Sequence, residues 1–229
     1  MKKISLLFTL LWSIIFFAQN DNFKKPNYPE IKKKIEQKNS KFNYLKLLKK
    51  YNQADSTLTI EEKRNLYYGY IHHPNYSPYS SREFTDKISA ILNKKTITPE
   101  EYNSIITYTD ALLKENPFDI NAMNYKFYAY QQLGDSSAAI KVSSKIKIIT
   151  DAILSSGNGL TKETAYFVII PTHEYSTLNF LGYHFGGNQS LIDHYDYLSL
   201  KENEQNIEGL YFDVSVSLNF MSNLFEKKE

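Results

Sequence analysis

Ser155-Ser156-Gly157-Asn158-Gly159 separates two stretches of different hydrophobic period, and the fold class follows from that change. On its N-terminal side Ala139, Val142, Ile146, Ile149 and Ile153 recur at helical spacing. On its C-terminal side Tyr166 to Ile170 is a short β-rich run, apolar on both faces as a central strand would be. Leu210, Phe212, Val214, Val216 and Leu218 then alternate with Tyr211, Asp213, Ser215 and Ser217, which predicts a strand. Leu178 to Phe185 and Leu191 to Leu200 flank Gly186-Gly187-Asn188-Gln189, which predicts a hairpin turning at the glycines. Helices followed by strands predict an α+β fold, with the helical part packed on one face of a C-terminal antiparallel sheet. The glycine-rich stretch lacks the spacing of a phosphate-binding loop and reads as a helix C-cap leading into a turn.

Working back from Ser155, the helical signals are strong. Gly134-Asp135 ends one helix and begins the next, and Asp119 caps a helix carrying Ile120, Met123, Phe127 and Tyr130. Phe127, Tyr130, Ile146 and Ile149 are the expected buried residues of this pair. Thr98-Pro99-Glu100-Glu101 combines an N-cap, a proline at the first helical position and a capping-box glutamate. Thr59 and Glu62 form a second capping box, for a helix over Glu61 to Tyr70. A helix is expected from about Arg82 to Leu92, preceded by an ordered turn at Asn75-Tyr76-Ser77-Pro78-Tyr79. Tyr44, Leu47, Leu48 and Tyr51 mark an earlier helix, after a linker bearing Pro26 and Pro29.

Residues 1–18 read as a secretory signal peptide: Lys2-Lys3, an apolar run from Ile4 to Phe17, and a cleavage point at Ala18-Gln19. The helical region then spans 19–155 and the β region 156–229, folding as one unit. The apolar run is short for a membrane span. Without Lys2 and Lys3 the chain has 25 basic and 25 acidic residues, so charge gives no argument for nucleic acid. The absence of cysteine excludes disulfides, thiolate chemistry and the lipidated cysteine of a bacterial lipoprotein. The 19 tyrosines and 14 phenylalanines are the material of the core.

Two resemblances follow from ordered short matches. Pro117, Ala122, Tyr128, Leu133-Gly134-Asp135 and Ala139 resemble one tetratricopeptide-type hairpin. Arg64-Asn65-Leu66-Tyr67-Tyr68-Gly69-Tyr70, Tyr76-Ser77-Pro78-Tyr79, Asn116-Pro117-Phe118-Asp119, His173-Glu174-Tyr175, Asp196-Tyr197-Leu198 and Leu210-Tyr211-Phe212-Asp213-Val214 resemble an exported Bacteroidetes family, domain of unknown function 4919. The resemblance implies compartment and lineage, and brings no activity or cofactor with it.

Three groups of residues carry possible chemistry. His173 and Glu174 are the catalytic candidates, as a general base or metal-binding pair, although the second histidine of H-E-x-x-H is replaced by Thr177. His184, His194 and Asp196 could share a face of the hairpin and ligate a metal, or be ordinary surface residues. Arg64, Tyr67, Tyr68 and Tyr70, with Tyr76 and Tyr79 beyond them, could clasp a ligand or pack as an interface. With no nucleophile motif and no cofactor signature, the chain reads as an exported envelope protein, a non-catalytic binding or scaffold module for an envelope protein or peptide. It would use the groove between helices and sheet, without nucleic acid and without a membrane span after signal cleavage. The alternative is a metal-dependent or His/Glu-based hydrolase of the envelope.

Overall fold

The computed structural model describes residues 23–79 and 83–226, so the signal segment 1–18, Gln19 and the expected helix start at Arg82 lie outside the described residues. The helical part comprises α1 (Tyr28–Glu36), α2 (Tyr44–Asn52), α3 (Ile60–Gly69), α4 (Glu83–Leu92), α5 (Pro99–Glu115), α6 (Ile120–Gln132) and α7 (Ser136–Leu154). The C-terminal part comprises β1 (Tyr166–Phe167), α8 (Thr172–Phe180), β2 (Phe185–Ile192), β3 (Tyr195–Leu200), β4 (Gly209–Asp213) and α9 (Ser215–Glu226). The fold is therefore α+β.

Local chemistry starts the helices where the sequence places them. At α3 the Thr59 hydroxyl accepts from Glu62 N–H and the Glu62 carboxylate accepts from Thr59 N–H, satisfying two donors that a helix start would leave unpaired. Glu62 also pairs with Lys50 at 2.7 Å, which ties α2 to α3. Thr98 and Glu101 repeat the device at α5, and Asp119 and Asp135 cap α6 and α7. Pro29 does not lie in a linker: it occupies the first turn of α1 behind the Asn27 cap, where the missing N–H costs nothing. Of the four expected core residues, Ile149 is fully buried, and Phe127, Tyr130 and Ile146 pack against the core while half-buried.

The sheet has the order β1-β4-β3-β2 and is mixed, since β1 pairs parallel with β4 while the other pairs are antiparallel. The run Tyr166 to Ile170 is thus no central strand. Only Tyr166 and Phe167 pair, at the edge of the ladder, and the helical layer buries the rest. The hairpin turns at Asp193, with φ of 62°, and Gly186-Gly187 instead make a bulge inside β2, where Gly187 has φ of 105°. Glycine supplies positive φ to a bulge as readily as to a turn, so the same residues fit either. The alternation from Leu210 also ends early. Beyond Asp213, whose carboxylate accepts from Ser215 N–H and Oγ–H, the chain becomes α9. Between β1 and β2, residues Thr172–Phe180 form α8 in place of extended chain.

One apolar core joins the two parts, drawing on Leu47, Leu66, Tyr67, Phe118, Ile149, Val168, Leu198 and Phe212, and a smaller cluster lies under α4, α5 and α6. The Ser155–Gly159 stretch closes α7 onto the sheet. Ser156 Oγ accepts from Phe167 N–H, and Asn158 and Gly159 both donate to the Thr164 carbonyl. A Cβ on Gly157 would stand 2.1 Å from that carbonyl oxygen, so the turn requires glycine there. Among the described residues no helix is long and apolar enough to cross a membrane.

Candidate functional site

The residues suggested by sequence divide between the core and the surface. Arg64, Tyr67, Tyr68 and Tyr70 lie on or just after α3, packed among α1, α2 and α7, and all four side chains are buried. Arg64 donates to Ser155 Oγ at 2.6 Å and to the Lys24 carbonyl, and stacks over Tyr68 at 5.4 Å. The tyrosine hydroxyls fasten neighbouring backbone to this helix: Tyr68 donates to the carbonyls of Ala152 in α7 and Phe167 in β1, and Tyr70 to those of Asn75 in the following turn and Glu115 at the end of α5. Such rings bring a large apolar area and satisfy their own polar tip. Arg64, Tyr67 and Tyr68 therefore act in the core, while Tyr70 also lines a cavity.

His173 belongs to the same interior network. Ile169 N–H donates to Tyr67 Oη at 3.2 Å, Tyr67 Oη lies 2.8 Å from His173 Nδ1, and His173 Nε2 lies 2.8 Å from the Phe118 carbonyl. Since the carbonyl can only accept, Nε2 carries the proton and Nδ1 accepts from Tyr67. Burial disfavours the imidazolium and holds the pKa down to about 4. A neutral, enclosed imidazole with both nitrogens in use is a tie between α3, α8 and the Phe118 turn.

Glu174, one residue on, points elsewhere. It is buried yet faces the hairpin, where Gln189 Nε2 donates to Glu174 Oε2 at 3.5 Å and to Asp196 Oδ2 at 2.8 Å. Tyr175 Oη donates to Gln189 Oε1 at 2.5 Å. Burial, reinforced by the Asp196 charge, pushes the Glu174 carboxyl up to about 9. Glu174 Oε1 has no hydrogen-bond partner. Asp196 thus joins Glu174 and not His184 or His194. His194 sits at the hairpin turn with Nε2 3.5 Å from Asp213 Oδ2, and the His184 carbonyl accepts from Lys201 N–H where the hairpin opens. Their expected common face depended on a turn at Gly186-Gly187, and the actual turn and bulge change the phase. Among the described residues no three His, Cys, Asp or Glu side chains form a metal-binding group.

A second surface feature follows the ordered turn after α3. Cavities of about 210, 550 and 430 Å³ adjoin along Asn75–Tyr79: the first and second share Asn75, Lys114 and Glu115, and the second and third share Tyr79. They make a trough from α2, past the C-terminal end of α5, to the start of α8. Tyr44 and Leu48 line one end, Ile170, Pro171 and Thr172 the other, and half-exposed Tyr79 stands between. Tyr76 holds the turn by donating to the Ile169 carbonyl at 2.6 Å. Two side chains of the trough carry buried polar atoms with no partner, Tyr44 Oη and Asn116 Nδ2. Asn116 spends its oxygen on Phe118 N–H, leaving its two amide hydrogens over. A separate cavity of about 540 Å³ between α6 and α7, beside Phe127 and Ile140, is lined by none of the unpartnered atoms. Sequence singled out Tyr70 and Tyr79 as possible ligand contacts, whereas Tyr44 and Gln189, read there as helix and turn residues, join their sites only through tertiary packing.

No curated protein and no solved structure matches the chain. A family model described as "Domain of unknown function (DUF4919)" matches residues 29–223. With most of its length inside that model, this chain belongs to the domain of unknown function 4919 family.

Proposed function

We propose that the protein is an exported, non-catalytic binding module of the bacterial envelope, which holds an extended segment of a partner polypeptide in the Asn75–Tyr79 trough. Tyr44 Oη and Asn116 Nδ2 carry this proposal, because a buried donor without a partner is costly unless a ligand or water completes it. A peptide offers carbonyl acceptors at regular intervals, and its side chains suit a trough lined by apolar Leu48, Ile170 and Pro171 together with polar Asn75, Lys114 and Glu115. The helices α6 and α7, whose sequence resembles a tetratricopeptide-type hairpin, would serve as the scaffold. A hydrolase has less in its favour, since His173 is enclosed and neutral.

A photo-crosslinking residue in place of Tyr79, in the native envelope, tests this function. A polypeptide adduct is expected that is absent from a control at exposed Leu160. Tyr44→Phe and Asn116→Asp each remove an unpartnered donor, so adduct yield is expected to fall in both; folding stability should stay the same or rise in Tyr44→Phe and fall in Asn116→Asp, which buries a carboxylate. The affinity loss should be about tenfold for each, corresponding to about 1.4 kcal/mol. Adducts equally abundant in both variants, or equally abundant at the control position, would contradict the proposal. Export has its own check: N-terminal sequencing of the envelope-derived protein should begin at or near Gln19, and unprocessed protein retained in the cytoplasm with Met1 intact would oppose it.

A further inference from the structure

We propose that Glu174, Asp196 and Gln189 form a binding site for a hard divalent cation of the calcium class, independent of the trough. Three elements meet there: α8 brings Glu174, β2 brings Gln189 and β3 brings Asp196. In the hairpin register Gln189 lies opposite Leu198, and Asp196 opposite Leu191, so the two polar side chains are diagonal neighbours on the face turned to α8. The register shift before Gln189, at the Gly186-Gly187 bulge, sets its phase, as bulges beside functional sites re-aim side chains.

Two carboxyl groups converge on a single neutral donor, the Gln189 amide. Glu174 Oε1, on a side chain 1 % exposed, has no donor at all. Neither carboxyl takes part in an ion pair among the described residues. A buried carboxyl is compensated by hydrogen bonds, a counter-charge or a metal; here Glu174 and Asp196 are hydrogen-bonded carboxyl groups sharing a proton, which a divalent cation would displace, while Glu174 Oε1 stays without a donor. Rotating the Gln189 amide by half a turn, an assignment that its hydrogen bonds alone determine, would present Oε1 to the same point. The donors are then all oxygen, from two carboxylates and an amide, with the Tyr175 hydroxyl beside them. That set suits calcium or magnesium and not zinc, which favours imidazole or thiolate. The bidentate freedom of two carboxylates on separate elements favours calcium over the rigid octahedron of magnesium. Gln189 is exposed and Asp196 and Tyr175 partly so, which gives the ion an entry and lets water fill its remaining positions. With so few protein charges, the affinity belongs to the range of extracellular calcium modules, about 10⁻⁴–10⁻³ M.

Terbium is the probe, because a tyrosine beside the bound ion sensitises its emission and Tyr175 adjoins the site. The parent protein should show saturable, tyrosine-sensitised terbium emission that calcium displaces, and calcium should raise its melting temperature. Asp196→Asn and Glu174→Gln keep side-chain shape while removing charge. Each, with an unchanged circular dichroism spectrum, should weaken terbium binding about tenfold or more and abolish the calcium-dependent melting shift. Loss in Asp196→Asn alone suffices should Glu174→Gln fold poorly. The absence of saturable emission, or emission and melting shift unaltered in a folded Asp196→Asn protein, would overturn the proposal.

Discussion

A Tyr67→Phe variant is expected to lose about 2–4 kcal/mol of unfolding free energy, although the ring and its packing remain. The phenol accepts from Ile169 N–H and donates to His173 Nδ1, and both of those residues are fully buried. Deleting one oxygen therefore strands a backbone donor and an imidazole acceptor together, each at about 1–3 kcal/mol. The ring still meets Tyr68 at 5.0 Å and Phe118 at 6.1 Å, so little apolar contact is lost. Denaturant unfolding should show a lower midpoint with an unchanged slope, the sign of altered stability without a change of compactness. In the double variant with His173→Leu the losses should be less than additive, because the two groups share one hydrogen bond. Tyr44→Phe is the natural contrast: the same chemical change at an unpartnered hydroxyl should cost nothing. A Tyr67→Phe protein within about 0.5 kcal/mol of the parent would show that the network does not form.

The second large effect is a loss of stability in mild acid. Burial keeps His173 neutral in the folded protein down to about pH 4, whereas an unfolded histidine takes up its proton near pH 6.5. Between those values the unfolded chain binds the extra proton, so the contribution of neutral His173 is complete above the unfolded pKa and is lost progressively as pH falls toward the folded one. The full loss is about 3 kcal/mol. Glu174 acts with the opposite sign, since the folded protein holds its proton up to about pH 9 and that stabilisation fades as pH rises from the unfolded carboxyl range. Comparison with His173→Leu separates the two. That variant is less stable at neutral pH, because Tyr67 and Phe118 lose their partner, but its deficit should narrow steadily below pH 6.5. A constant gap down to pH 4 would contradict the buried neutral imidazole.

The helical half was legible because its signals are local. Each cap acts within one turn, so Thr59 with Glu62, Thr98 with Glu101, Asp119 and Asp135 mark helix starts without reference to the rest of the chain. Pro29 misleads because the same restricted φ serves a linker and a first helical turn. In the C-terminal half the deciding interactions are between distant residues. Gly186-Gly187 can turn a hairpin or bulge a strand, and only the pairing of β2 with β3 decides. Val214 and Leu218 fit a strand by alternation and a helix by their four-residue spacing, and the Asp213 cap on Ser215 resolves it.

The site residues show the same limit. His173 and Glu174 are adjacent in sequence, but successive helical side chains diverge by about 100°. One therefore meets Tyr67 in the core and the other the β2–β3 hairpin. Tyrosine abundance announced rings with useful hydroxyls, yet not that Tyr67, Tyr68 and Tyr70 would spend theirs inside the fold, on His173 and on the Ala152 and Glu115 carbonyls of neighbouring helices. Tyr44 and Asn116, by contrast, acquire their interest only from what the folded chain leaves them without.

The buried His173 network holds the fold together, while the recognition proposed above falls to surfaces built around unpartnered groups. Its most direct test is the nitrogen NMR spectrum of His173, assigned by loss of its signals in His173→Leu and followed from pH 8 downward. The structure predicts a protonated Nε2 and a bare Nδ1, with no titration until about pH 4. A His173 that titrates near pH 6.5, or that carries its proton on Nδ1, would contradict it.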